Sequence, residues 1–146
     1  MDEIVKLLDP ELNYIGHKIE EDVMYIYVES NRESFECPHC GKLSTKVHSR
    51  YERSFQDLPI QGYKVMIVLT NRKFFCKNPE CPNTTFIETY SFIKHKAKKT
   101  IRLEEEIVRI STNVSSVAAS KILKNQIADV GKSTICNLLK KRITIN

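Results

Sequence analysis

The apolar residues of this chain alternate with polar ones up to about Ser91 and then switch to a helical spacing. The clearest alternating run is Val-Met-Tyr-Ile-Tyr-Val-Glu from Val23 to Glu29, β-branched and aromatic almost throughout. With Tyr14 to Ile19 before it and the polar Glu20-Glu21-Asp22 between, it predicts a β-hairpin. Lys46 to Phe55 and Tyr63 to Phe75 predict two more strands, the second carrying Val65-Met66-Ile67-Val68-Leu69. The segment Asp57-Leu58-Pro59-Ile60-Gln61-Gly62 punctuates them, and Thr85 to Tyr90 reads as a further short strand. Ahead of all these, Ile4, Val5, Leu7 and Leu8 have helical spacing from Asp2 to Leu8, and Asp9-Pro10 ends that helix because the residue before proline avoids the helical region.

Past Ser91, Lys94-His95-Lys96-Ala97-Lys98-Lys99 reads as a solvated basic linker able to meet phosphates. Three helices are predicted beyond it. Arg102 to Ser111 turns Leu103, Ile107 and Ile110 inward. A second, capped by Ser115 or Ser116, turns in Val117, Ala118, Ile122 and Leu123. Gly131 precedes a third, Lys132 to Arg142, with Ile135, Leu138 and Leu139 inward.

Length narrows the picture. The 146 residues suit one ordinary domain or smaller pieces, and pieces of about 40 to 60 residues bury too little apolar surface to fold without a metal or a neighbour. A composition of 41% hydrophobic and 28% charged residues, with four Gly and five Pro, excludes a disordered chain. No apolar run reaches the roughly 18 residues that span a bilayer, and the acidic start lacks the order of a signal peptide. The expected location is therefore the cytoplasm, at the nucleoid when bound to DNA, with no membrane partner.

Charge is unevenly placed. Residues 1–35 hold 3 basic and 9 acidic side chains, residues 36–93 hold 8 and 5, and residues 94–146 hold 12 and 4. A basic end points to a polyanionic partner, since Lys and Arg release condensed counterions from phosphates.

Cysteine spacing supplies the chemistry. Cys37-Pro-His-Cys40-Gly41 is a knuckle, two thiolates gripping one ion from a tight turn that the glycine makes accessible. A second pair, Cys76 and Cys81 with four residues between, completes the four soft ligands that tetrahedral zinc prefers. Four cysteines close the coordination shell, so the expectation is one structural Zn2+ on Cys37, Cys40, Cys76 and Cys81, with no site for an activated water. A redox dithiol would need one pair only, and iron–sulfur clusters usually have more compact spacing. His39 and His48 are substitute ligands at most, and Cys136 reads as a small buried hydrophobe.

The helical end suggests what the metal supports. Short helices with Gly131 in a turn before a basic helix fit a helix-turn-helix, whose last helix enters the major groove by its N-terminal residues. Lys132, Ser133, Thr134 and Asn137 would face the bases, and Lys140, Lys141 and Arg142 the phosphates. A three-helix bundle packed on the ribbon, with Ser133 as an N-cap, accounts for the same pattern. Within the ribbon, Arg50, Arg72 and Lys73 can line a phosphate-facing surface, and Arg53 is spaced to pair with Asp57 across the turn.

Together these residues resemble the N-terminal zinc-finger region of the ISL-three family of insertion-sequence transposases. The resemblance runs through Cys37-Pro-His-Cys40-Gly41, His48-Ser49-Arg50-Tyr51-Glu52-Arg53, Asp57-Leu58-Pro59-Ile60-Gln61-Gly62, Arg72-Lys73-Phe74-Phe75-Cys76, and Cys81-Pro82 followed by Thr85-Phe86-Ile87-Glu88. Lys99-Thr100-Ile101-Arg102-Leu103 and Val130-Gly131-Lys132-Ser133-Thr134-Ile135 look like the helix-turn-helix that follows in that family. It spans most of residues 14–142. The resemblance implies recognition of a transposon's terminal inverted repeats, with cutting and joining left to a separate acidic domain that uses magnesium. No carboxylate triad suited to that chemistry is visible here, since the acids cluster before residue 35 and in Glu104-Glu105-Glu106.

The expectation is thus an α+β protein in three parts. They are an N-terminal helix and β-hairpin over residues 1–35, a four-cysteine zinc ribbon over 36–93, and a basic linker and C-terminal helix-turn-helix over 94–146. Its expected role is sequence-specific binding of double-stranded DNA without catalysis, and a second copy or a full-length transposase is its expected protein partner. The competing reading is a protein-interaction module or a repressor derived from a transposase.

Overall fold

In the computed structural model, which describes residues 1–112, 114, 116–126 and 131–145, the alternating segments build one five-stranded sheet and the periodic segments a cluster of helices. Helix α1 (Asp2–Leu8) leads into the hairpin of β1 (Leu12–Glu20) and β2 (Val23–Ser30). Its turn places Glu21 and Asp22 at φ of 48° and 66°, a left-handed pair whose twist suits a two-residue hairpin. A small two-stranded ribbon follows, β3 (Phe35–Glu36) with β4 (Leu43–Ser44). The long strands β5 (Val47–Ile60) and β6 (Tyr63–Phe75) then form a second hairpin, and β7 (Thr85–Ile87) ends the sheet.

Strand order is β1-β2-β6-β5, with β2 parallel to β6. Val23 to Glu29 of β2 face Lys64 to Thr70, and β7 takes over further along β6, opposite Lys73 to Phe75. The N-terminal hairpin and the strands that flank the second cysteine pair therefore share one sheet.

Strand β5 extends through Asp57-Leu58-Pro59, a segment expected to be a loop. Its register shifts between Asp57 and Ile60, and such an irregularity is where a strand tolerates a proline that has no N–H to donate. The turn is only Gln61-Gly62, at φ of 49° and 83°.

Register explains the main core. Ile26, Ile67 and Phe55 lie side by side on one face, flanked by Met24 with Val65 and by Val28 with Leu69. Val5 of α1 and the segment carrying Tyr90, Phe92 and Ile93 close over them. A second core joins α2 (Ile101–Ser111), α3 (Ser116–Gln126) and α4 (Lys132–Ile145) through Leu103, Ile107, Ala119, Leu123 and Ile135. Here α3 is rotated from expectation. Ala119 and Leu123, an i,i+4 pair, point inward, whereas Val117 and Ile122 are exposed. Ser115, expected as the cap of α3, and Val130 lie outside the described residues. No helix among the described residues is long and apolar enough to cross a membrane.

Sheet and helices are joined by a buried carboxylate. Asp57, 2% exposed, accepts from Arg102 Nε at 2.8 Å and from the Thr100 hydroxyl at 2.8 Å, and also pairs with Arg102 Nη2. The Thr100 oxygen in turn accepts from the Leu103 N–H, capping α2. The partner of Asp57 is thus Arg102 and not Arg53, whose guanidinium lies over the Phe55 ring. The basic linker is not solvated along its whole length either. Gln56 N–H donates to the Lys98 carbonyl and Thr100 N–H to the Gln56 carbonyl, both at 2.9 Å, so residues 98–100 are seated on the edge of β5.

Replacing Asp57 by Ala should free the α2 cap and leave Arg102 unpaired at a largely buried site, a loss of about 3 kcal/mol. Chemical denaturation would measure it, and limited proteolysis should cut first between the sheet and α2.

A second buried carboxylate, Glu88, has its side chain wholly enclosed. Arg72 grips it through Nε and Nη2 at 2.9 Å each, the Ser30 hydroxyl donates at 2.8 Å, and Arg32 stands at 3.4 Å. Burial opposes its ionisation, but Arg72 and Ser30 outweigh burial and hold the carboxyl below its usual range. With a depressed folded-state value, its stabilisation is full above the unfolded value of about 4.3 and is lost as pH falls through the lower folded value. Stability measured from pH 7 down to pH 3 should therefore fall less steeply in Glu88→Gln than in the unaltered protein, from a lower plateau at neutral pH.

Candidate metal centre and basic surfaces

Two turns deliver the sulfurs. The first is held between β3 and β4, where Cys37 N–H donates to the Lys42 carbonyl at 3.0 Å and Gly41 N–H to the Cys37 carbonyl at 2.8 Å. Gly41 sits at φ 77°, a conformation that a side chain would strain. The second leaves the end of β6, where Cys76 N–H donates to the Thr84 carbonyl at 2.9 Å and Cys81 N–H to the Asn78 carbonyl at 3.1 Å. The Asn78 side chain tightens it by accepting from Glu80 N–H.

Aromatic packing brings the turns together. Phe74 of β6 stacks on Phe86 of β7 at 5.7 Å, and Phe35 of β3 lies 6.4 Å and 6.1 Å from them. Cys37 is buried against this cluster, with Cys76 and Cys81 at its margin.

The ligand atoms of Cys37, Cys40, Cys76 and Cys81 all lie within 4.8 Å of one another, and Cys40 and Cys76 sulfurs are 3.6 Å apart. Tetrahedral zinc with bonds of about 2.3 Å needs sulfurs about 3.8 Å apart, whereas a disulfide needs about 2.05 Å. All four cysteines are free thiols. The donor set fits one structural zinc ion with no position left for water. Neither His39 nor His48 joins it. His39 is exposed, and the His48 ring packs edge-on to Phe75 at 4.8 Å.

Electrostatics make the same demand. The Lys42 backbone N–H draws the Cys40 thiol down to about 7. Cys76 receives similar help from the Asn78 backbone, but burial and the neighbouring sulfurs push it up to about 12. Four clustered thiols cannot all ionise without a cation among them.

The other expected site residues divide among separate surfaces. Lys132, Ser133, Thr134, Asn137 and Lys140 are exposed along α4, while Ile135 between them is buried. Lys141 and Arg142 fall within α4, and their side chains lie outside the described residues. Arg72, expected to meet phosphates, instead spends its charge inside the fold on Glu88 and on the Arg32 carbonyl. Arg50 is exposed and pairs in register with Arg72. Lys73, the next residue of β6, points to the opposite face with Arg53 and Tyr51, because strand side chains alternate. Lys94 and Lys96, which the sequence showed only as part of a charged run, border the same concavity as Lys73 and Arg53.

Comparison with known proteins bears on the ribbon directly. Residues 33–81 match a family model described as the zinc-finger of transposase IS204/IS1001/IS1096/IS1165. Over these residues the chain is similar to the zinc ribbon of those transposases. A wider relative is the transposase for insertion sequence element IS1001 of Bordetella parapertussis, 26% identical over 120 residues. That alignment takes in 81% of this chain and 27% of the transposase, so the chain spans about a quarter of the relative's length. No solved structure matches the chain. The matched segment is where sequence comparison and the sulfur geometry coincide, and the cofactor is one structural zinc.

Exchange of Cys76 for Ser should release the zinc and unfold the ribbon, because a structural site couples metal binding to folding. Metal analysis should give one zinc per chain before the exchange, and proteolysis should open residues 33–87 after it. A folded, protease-resistant variant would contradict the assignment.

Proposed function

We propose that this chain is a transposase-type DNA-binding unit that recognises double-stranded DNA, with the zinc ribbon as scaffold and α4 as the reading helix of a helix-turn-helix. The observation that carries the reading is a shared concavity of about 380 Å³ between the basic connector and α4. Thr134, Asn137 and Leu138 line one side, and residues 94–99, with four lysines, line the other. Reading residues and phosphate-binding charge thus face one space, as a groove-binding helix requires.

Lys132, Ser133, Thr134 and Asn137 would contact base edges from the first turns of α4, and Lys140 would stand over the backbone. Arg50 and Lys73 supply charge on the ribbon, whereas Arg72 is withdrawn from the interface. The closed sulfur shell gives zinc a structural part only, so the role proposed is binding, not catalysis. Terminal inverted repeats are the natural target of such a unit, given the similarity to a transposase. The net charge of +5, concentrated beyond residue 94, supports a polyanionic partner.

Joint replacement of Lys132 and Asn137 by Ala should lower affinity for a selected duplex by about 10-fold or more while leaving the thermal midpoint and zinc content unchanged. Binding sites chosen from a random duplex library provide the probe. An unchanged gel-shift affinity would remove α4 as the reader.

A further inference from the structure

A concavity of about 720 Å³ lies on the other side of the basic connector, between it and the first zinc knuckle. Pro38 and His39 form its ribbon end, Tyr51, Arg53 and Lys73 come from the sheet, and Lys94 and Lys96 form its far wall. We infer that this trough is a second nucleic-acid contact, holding one phosphodiester strand of the bound duplex between the zinc knuckle and the connector. The inference rests on the DNA-binding reading above and adds to it a site on the ribbon side that α4 does not touch.

Three observations carry it. First, most of the charge is uncompensated. Arg53, Lys73, Lys94 and Lys96 line the trough, and among the described residues the only carboxylate lining it is Glu88. That carboxylate is fully enclosed and bound by Arg72, so it does not neutralise the wall. Lys94 reaches a carboxylate only at 3.9 Å, on Glu104.

Second, the connector is held and not loose. Its backbone is fastened to Gln56 at Lys98 and Thr100, and Ala97 N–H donates to the Lys94 carbonyl at 3.1 Å. A fixed row of cations binds a polyanion without first losing the freedom of a flexible segment.

Third, Lys96 is exposed at φ 60°, a left-handed conformation that a lysine adopts at a cost. Glycine would occupy that position without strain, yet the position carries a charge beside the trough. Backbone held against its preference at a surface position points to a use for the side chain.

Phosphate contacts carry no sequence information and set the salt dependence of binding. The experiment measures duplex affinity over a range of salt for the full zinc-loaded chain, with a labelled mixed-sequence duplex as probe. Lys96→Gly and Lys73→Ala are compared with the unaltered protein, and Lys96→Gly is informative because it relieves backbone strain while removing the charge. Neither variant should lower the thermal midpoint or the zinc content, and each should lower the slope of log affinity against log salt by about 1.

If the unaltered protein binds the duplex and neither slope changes, the trough assignment is overturned while the reading of α4 stands. Absence of any duplex binding at low salt would overturn both. Competition by polyglutamate as strong as that by unlabelled duplex at equal charge would overturn the choice of nucleic acid in favour of an acidic protein.

Discussion

The ribbon beyond the main sheet depends on four sulfurs sharing one cation. The two turns that carry them lie 36 positions apart, and the first hangs on strands too short to hold themselves, since β3 and β4 have two residues each. Three phenylalanines bring these pieces near each other, but aromatic contact alone is not directional enough to fix a tetrahedral donor set. Crowded thiols resist joint ionisation, as the opposed shifts at Cys40 and Cys76 display, and a divalent ion turns that repulsion into attraction. The ribbon is therefore small because the metal does what a larger hydrophobic core would otherwise do.

The same logic of a charge enclosed and answered recurs twice without a metal. Glu88 binds the loop after β2 to β6 through Ser30, Arg32 and Arg72, and Asp57 binds β5 to α2 through Thr100 and Arg102. A buried ion pair is seldom a large net source of stability, because desolvation offsets much of the attraction. Its value here is positional. Glu88 accepts from the end of β2, the loop after it and β6, and Asp57 of β5 accepts from the cap and first turn of α2, so displacing those partners leaves a charge unpaired in the interior.

How much of this could be read from the chain follows the range of the interaction. The helix Asp2–Leu8, the strand from Tyr63 to Phe75 and the four-cysteine set depend on local period or on spacing, and all three were legible. Pairing of β2 with β6 was not, because nothing local in Val23 to Ser30 specifies a partner some forty positions later in the chain. Pro59 looked like a strand breaker, yet a bulge accommodated it. Asp57 reads as structural from its spacing to Arg53, four positions away, but its partner lies 45 positions on. Arg72 looked like any other surface cation beside Lys73. Its one visible signal was a lone acid, Glu88, in an aromatic-rich stretch, a pattern that asks for a buried counter-charge.

Seating residues 98–100 on β5 also changes how the ribbon and the helices act together. A flexible linker would let two weak DNA contacts bind independently, with the second gaining only from its raised local concentration. Here the Asp57 clamp and the Gln56 hydrogen bonds fix the start of α2 to the same strand that carries Arg53. The trough beside the knuckle and the concavity beside α4 share Lys94, His95 and Lys96 as a common wall. In the proposed DNA-bound state, phosphate contacts on one side of that wall would constrain where α4 meets the bases on the other. On that proposal, sequence reading by α4 would be sensitive to any change that shifts the ribbon, including loss of a metal ion that touches no nucleotide.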